Sequence, residues 1–476
     1  MAEKALKGAP FEMLRTPVPD GNRGLTEPLE PLAPPHAPIH AGRATLGRWE
    51  VVQRVDITDG AAAQARTDLE NGANALALVL AEAPSAFGRG LRTTTLDALD
   101  EALGGVDLGA IPLHVEAGAH GLAMLTLVCA LAARRGTALS AVHAGADPFA
   151  LAAATGLARS PAGTARDLAD TVRAFTDDGA LPGTAIAGDG RVAAEAGASP
   201  VEELAFALTN LHAALRLLDD AGLPPAQTLP VAALSLTASH EQIPTIAKLR
   251  AARALARLYG EAFGVDFAPR LHVTTLRRML AVSDPHTNLL RLAIAAFSAG
   301  VGGADAVTVL PFDTAASPFG RRLARNLQTL LLEEAHVDAL SDPGAGSGAI
   351  EAYTDAIASA AWQIFQQHSD ADPAAMLSAP HPMAAGILAS AASLDGERVI
   401  IGVTRHPPTS AAPAQAGEAP TLALTASGAP AGDDFAARVA AAAAGATLAE
   451  LGATPPPETL APVVLAPTRA SAPFEA

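Results

Sequence analysis

Eight side chains able to act as acids, bases or ligands stand where short apolar runs give way to loops: Glu116, His120, His143, Asp147, Asp189, His240, Glu241 and Asp313. If those runs are strands of a parallel barrel, these residues collect at the C-terminal strand ends, where such barrels carry their chemistry. Each also has a plain structural use. Asp147-Pro148 and Asp189-Gly190 are ordinary turn dipeptides. His120, Glu241 and Asp313 stand where they could cap the helices that follow. None has the spacing of a zinc site, a P-loop or a nucleophile elbow. The sequence therefore assigns no catalytic, cofactor-binding or metal-ligating residue, and the eight remain candidates for a strand-end pocket.

The elements that must position them alternate regularly. Strand-like runs occur at 73–80, 111–118, 139–146, 183–188, 230–239, 270–276 and 306–313, with a weaker eighth near FGRGLRTTT at 87–95. Helix-length Ala/Leu-rich stretches separate them, which requires crossover connections and a parallel sheet. About eight such units point to an α/β fold, a (β/α)8 TIM-type barrel. No GxGxxG follows the first run, which disfavours a dinucleotide-binding sheet.

The helices carry their own punctuation. Ser199, Pro200 and Glu202 make a capping box, Leu204, Leu208, Leu211 and Leu215 share one face, and Gly222 with Pro224 ends the helix. EQIPTIAKLRAARALARLYGEAFG reads as an amphipathic helix, basic on one side. Residues 1–44 form a Pro-rich N-terminal arm and 45–345 the barrel. Residues 346–406 form a helical and strand extension, in which GERVIIGVTRH at 396–406 reads as a further buried strand. Residues 407–476 form a linker, a helix near 433–451 and a Pro-rich tail.

Composition excludes several classes of function. The chain has 476 residues, half of them hydrophobic, and a net charge of −17 with its basic residues dispersed, which argues against nucleic acid as a partner. The apolar run Leu122–Ala133 is too short to span a bilayer, and no apolar segment follows the N-terminal lysines as in a secretory signal. Cys129 is the sole cysteine and reads as core filler. A cytoplasmic protein with no membrane association is expected.

Several stretches go further. RLHVTTLRRMLAVSDPHTNLLRLAIAAFSAGVGGADAVTVLPFD, RRLARNLQTLLLEE, DPGAGSGAIEAYTDAIASAAW and GERVIIGVTRH resemble the methylmalonyl-CoA mutase family in order and spacing. The matching features are a DP-x-x-N-L-x-R segment, a GGAD turn, an R-x-A-R-N helix, a DP-x-x-GS turn and a late I-G-V strand, over roughly residues 45–406. Such enzymes isomerise acyl-CoA thioesters with adenosylcobalamin. Their catalytic chains carry G-Y-H-x-Q-E-A-G at the end of the fifth strand, where the His serves the thioester carbonyl, and a separate cobalamin domain with D-x-H-x-x-G.

Here the fifth strand end reads GDGRVAAEAGAS, and the resemblance resumes only at Glu195, Ala196 and Gly197. No His lies between His143 and His212, and no Tyr precedes Tyr259. The only His with Asp two places before it, His286, lacks the Gly that the cobalamin motif requires. The resemblance is thus to the family's small, non-catalytic subunits. It implies a TIM-type barrel without a cobalamin-binding domain, inactive alone, binding no cofactor itself. It further implies a heterodimer with a catalytic large subunit that holds adenosylcobalamin and handles the acyl-CoA substrate, converting methylmalonyl-CoA and succinyl-CoA. Two other readings are a substrate barrel whose cobalamin comes on a separate subunit and a scaffold protein with no mutase role. In the first, Ser235, Thr237 and Ser239 would face inward to line a pantetheine channel; otherwise they fill a narrow barrel. In the small-subunit reading the eight strand-end residues line a vestigial pocket.

Overall fold

A computed structural model describes residues 42–43, 47–177, 179–313, 315–395, 399–408, 434–452, 458–459 and 464–472. Eight parallel strands close into a barrel: β1 Glu50–Val55, β2 Ala75–Val79, β3 Leu113–Glu116, β4 Val142–Ala146, β5 Gly183–Asp189, β6 Ala232–Ala238, β7 Arg270–Thr275 and β8 Ala306–Thr308. Each strand pairs with the next, and β8 returns to β1 with Val51 opposite Val307. The (β/α)8 architecture expected from the alternation is what the chain adopts.

Two strands differ from expectation. The eighth strand is not the 87–95 stretch but β1, EVVQRV, which opens the barrel. Its apolar pattern is broken by Gln53 and Arg54, whose side chains are nevertheless buried. Within 87–95 only Leu91 makes a bridge, to Leu80, and Thr95 caps the helix Leu96–Ala102. The late run also departs from expectation. Its described part, 399–406, is a turn closed by an Ile401–Arg405 bridge, with Val399 60% and Ile401 46% exposed. Gly402, at φ 81°, makes that turn possible.

Elsewhere local signals agree with the structure. The Ser199 hydroxyl accepts from Glu202 N and the Glu202 carboxylate accepts from Ser199 N, starting the helix Pro200–Asp220. Its four leucines, Leu204, Leu208, Leu211 and Leu215, are buried. Cys129 is a free, mostly buried thiol, pushed up to about 12 by burial, as befits packing rather than reactivity. In the helix Gln242–Glu261 three of the four basic residues, Lys248, Arg250 and Arg253, are buried, and only Arg257 is exposed to solvent. Lys248 pairs with Glu203, Arg250 with Asp342 and Glu351, and Arg253 with Asp305.

Gly348–His368, Pro373–Ser378 and Ala384–Asp395 add helices to one side, the first of them packing on Gln242–Glu261 and Pro200–Asp220. Helices Phe435–Ala443 and Leu448–Leu451 follow where one was expected near 433–451. A two-residue strand, Glu458–Thr459, pairs antiparallel with Leu157–Ala158. Of the N-terminal arm only Gly42 and Arg43 are described: Arg43 N donates to Ser341 O, and its guanidinium lies 5.6 Å from the Trp49 ring centre. The remainder of that arm lies outside the described residues. Among the described residues, no helix is long and apolar enough to cross a membrane.

Candidate functional site

The mouth of the barrel is organised by charge pairing. β5 ends at Asp189, and the chain turns through Gly190 so that Arg191 folds back on it. Both Asp189 oxygens are used: Oδ1 accepts from Arg191 N at 3.0 Å and Nε at 2.9 Å, and Oδ2 from Nη2 at 2.7 Å. Arg191 Nη1 reaches across to Glu116 Oε1, at the end of β3, at 2.7 Å. Ser85 donates to the other Glu116 oxygen. Burial opposes ionisation of Glu116, but Arg191 and Arg54 hold its carboxyl far below the usual carboxylate range. Burial likewise opposes the charge on Arg191, and the two carboxylates raise its pKa above the ordinary value. The result is a largely buried triad in which each of the three guanidinium nitrogens donates to a carboxylate.

Asp147 serves a second structural network. As N-cap of the helix Pro148–Thr155 it accepts from Phe149 N and Ala150 N, and its Oδ2 accepts from Asp189 N at 2.8 Å and Asn210 Nδ2 at 3.1 Å. Burial pushes its carboxyl up to about 7 against the pull of these donors. Asn210 Oδ1 in turn lies 3.0 Å from His381 Nε2, while His381 Nδ1 accepts from Met383 N. The second bond assigns the tautomer: Nδ1 bears the lone pair, and Nε2–H donates to Asn210. Burial accordingly pulls the His381 imidazole down to about 3.

The rest of the mouth is covered by the chain itself. Segment 464–472 crosses it, with Leu465 N donating to Ala153 O, Thr468 N to Glu195 O and Ala470 N to Arg278 O. Glu195 accepts from Arg277 N and Arg278 N, and burial pushes its carboxyl up to about 7. Beneath this strap is a cavity of about 150 Å³, lined in part by Phe87, Glu116, Asp147, Arg191, Leu465 and Pro467.

The strand-end candidates thus divide. Glu116, Asp147 and Asp189 come together at one mouth. Asp313 lies beyond β8, which is shorter than expected, and braces Ser317, the N-cap of helix Pro318–Glu333, by accepting from its N and Oγ. His120 and Glu241 precede helices but make no side-chain capping bond. Burial lowers the His120 pKa, with Glu82 opposing. His240 and Glu241 line a different groove, beside Lys248 and Arg278.

His143 is corrected in position: it is the second residue of β4, well inside the barrel. There it stacks on His114 with ring centres 4.7 Å apart, and His114 stacks on His272 at 4.5 Å. These rings, with Thr184, Ser235 and Arg270, leave a void of only about 30 Å³ on the axis. Ser235 and Thr237 do face inward, Thr237 lining the mouth cavity while bonding to Glu203, whereas Ser239 bonds to Thr245. A barrel filled at that level has no room for a pantetheine arm along its axis.

Sequence reasoning missed Arg191, His114, His272, Glu203 and Lys248. Arg191 lies two residues past Asp189 and could have been found as its local partner. The His residues of LHVE, VHAGA and RLHVTT each alternate with apolar neighbours, an inward-facing signal on three strands.

Two outcomes test this geometry. Arg191→Met leaves Glu116 and Asp189 buried and unpaired, so unfolding free energy should drop by about 3–5 kcal/mol, and adding Glu116→Gln with Asp189→Asn should recover most of it. A drop under about 1 kcal/mol would deny the triad its structural role. His381 supplies the second. Its native pKa lies below its unfolded value of about 6.5. Its stabilising contribution is therefore complete above that pH and is lost as pH falls toward 3. In denaturant titrations over that window, the native chain should lose up to about 1.4 kcal/mol per pH unit more than His381→Gln. Parallel curves would contradict the assignment.

The methylmalonyl-CoA mutase family model matches residues 49–472. The chain is 38% identical over 344 residues to the methylmalonyl-CoA mutase small subunit of Streptomyces virginiae, covering 69% of this chain and 53% of that protein. It is 37% identical over 284 residues to the probable methylmalonyl-CoA mutase small subunit of Mycobacterium tuberculosis, covering 57% and 45%. With the methylmalonyl-CoA mutase small subunit of Propionibacterium freudenreichii it shares 38% identity over 237 residues, 48% of this chain and 36% of that one. The chain spans about half the length of the first two of these relatives. With a closed parallel barrel and a match over nearly all its length, the chain belongs to the methylmalonyl-CoA mutase family.

Proposed function

We propose that this chain is the small, non-catalytic subunit of an adenosylcobalamin-dependent methylmalonyl-CoA mutase. In this reading it pairs one-to-one in the cytoplasm with a large subunit that binds the cofactor and converts methylmalonyl-CoA and succinyl-CoA. The observation that carries the reading is the end of β5. Aligned on Glu195-Ala196-Gly197, the family's catalytic His falls at Val192, a buried apolar side chain, and its Tyr falls at Arg191. Arg191 is spent on Asp189 and Glu116. The His and Tyr that would polarise a thioester carbonyl, a contribution commonly worth several kcal/mol in the transition state, are thus replaced by an apolar side chain and a cation held by two carboxylates. The filled axis and the strap over the mouth support the same reading, as do the printed names of the relatives.

A barrel kept without catalytic groups is useful through its surface, and a large interface ties one subunit's stability to the other. The Pro-rich residues 1–44 suit such an interface, because a stiff segment loses little entropy on docking. Co-expressed with a catalytic large subunit, the chain should elute as a 1:1 complex. Deleting residues 1–44 should weaken that complex and lower the large subunit's thermal midpoint while leaving the barrel folded. If this chain, supplied with a separate cobalamin-binding protein and no large subunit, converted methylmalonyl-CoA, the non-catalytic assignment would fail in favour of a split substrate barrel.

A further inference from the structure

The opposite, N-terminal end of the barrel holds side chains that the subunit role does not use. Glu50 opens β1, His114 lies in β3 and His143 in β4, and one ligand atom from each lies within 4.8 Å of the others. His114 Nε2 is 2.9 Å from Glu50 Oε2. His143 Nδ1 is 3.0 Å from Thr184 Oγ1, whereas its Nε2 is buried and makes no hydrogen bond. An enclosed imidazole nitrogen without a partner costs about 1–3 kcal/mol. With Nδ1–H donating to Thr184 Oγ1, Nε2 bears the lone pair and is poised as a ligand.

We propose that this end of the barrel binds a single divalent transition-metal ion of the zinc class, with Glu50, His114 and His143 as protein ligands and water in the fourth position. Two imidazoles and one carboxylate form a donor set that zinc takes with an open position. Ligand distances of about 2.0–2.2 Å place neighbouring donors of a tetrahedral ion roughly 3.3 Å apart. The Glu50–His114 pair needs to open by only a few tenths of an ångström, and the wider gaps need to close by about 1.5 Å at most.

The three ligands stand on three adjacent or neighbouring barrel strands, so the backbone holds them in place. Outer partners are also present: Thr184 on His143, and Arg270, whose Nη2 holds the other Glu50 oxygen at 2.6 Å. Arg270 opposes a dication electrostatically, which lowers affinity, and favours hydroxide on the ion for the same reason. The Glu50 and Arg270 side chains, 19% and 26% exposed, mark the way in from solvent. No local motif signals this site, because its ligands are 64 and 29 residues apart in the chain. It is independent of the subunit assignment.

The test uses the full chain stripped of metal by chelator. Titration with Co²⁺ should develop the visible bands of a low-coordinate ion with saturation at one per chain, and Zn²⁺ should abolish them. By calorimetry, His143→Gln and Glu50→Gln should each weaken Zn²⁺ binding by about tenfold or more, while His406→Gln, at an exposed histidine, should change nothing. Zinc should also raise the thermal midpoint of the native chain and not that of the two ligand variants. If His143→Gln does not fold, Glu50→Gln, at the part-exposed end, decides alone. Zinc binding unchanged by the ligand variants would assign the metal to surface histidines, and no saturable Co²⁺ band would leave Glu50–His114 a plain ion pair. Either result overturns the proposal.

Discussion

Arg191 is enclosed between Asp189 and Glu116, and the mouth of the barrel is built around keeping that charge paired. A buried guanidinium is tolerated only when its donors are met by carboxylates in good geometry. Two strands are bound by this condition: β5 must end on an aspartate and β3 on a glutamate, at heights that let one side chain reach both. Asp147 then fixes β5 from the other side by accepting from Asp189 N, and Asn210 and His381 extend that contact into the added helices. The C-terminal face of the barrel is thus a network of mutually satisfied charges, with segment 464–472 hydrogen-bonded beside it.

The motifs that carry the family likeness do structural work in this chain. Asp284 caps the helix Pro285–Val301, and Asn288 bonds to Ala281 and Phe312 while receiving Arg291. Asp305 of the GGAD turn holds Leu271 N and Arg253, Arg325 of the R-x-A-R-N helix pairs with Asp68, and Asp342 of the DP-x-x-GS turn pairs with buried Arg250. Removing any of them would strand a buried charge or polar group. This explains how the barrel can keep its family pattern independently of the side chains at its mouth.

The same distinction sets what could be read from sequence. Periodicity and the Ser199 capping box are local, so seven strands and the main helices were legible. β1 was hidden because Gln53 and Arg54 face a buried environment while interrupting an apolar run, and the exposed VIIGV turn imitated a strand by composition alone. The inward basic residues of Gln242–Glu261 could not be distinguished from solvent-facing ones until their acidic partners, 45 to 101 residues away, were placed. The layer of His114, His143 and His272 is likewise a product of barrel closure, which brings three separate strands to one level.

The central claim is that this barrel has exchanged acyl-CoA handling for internal charge pairing. The most direct measurement is calorimetric titration of methylmalonyl-CoA into the isolated chain, with a catalytic large subunit run alongside. The account predicts no saturable heat for this chain up to millimolar ligand. Stoichiometric binding at micromolar affinity, abolished by substitution at the β5 end, would contradict it.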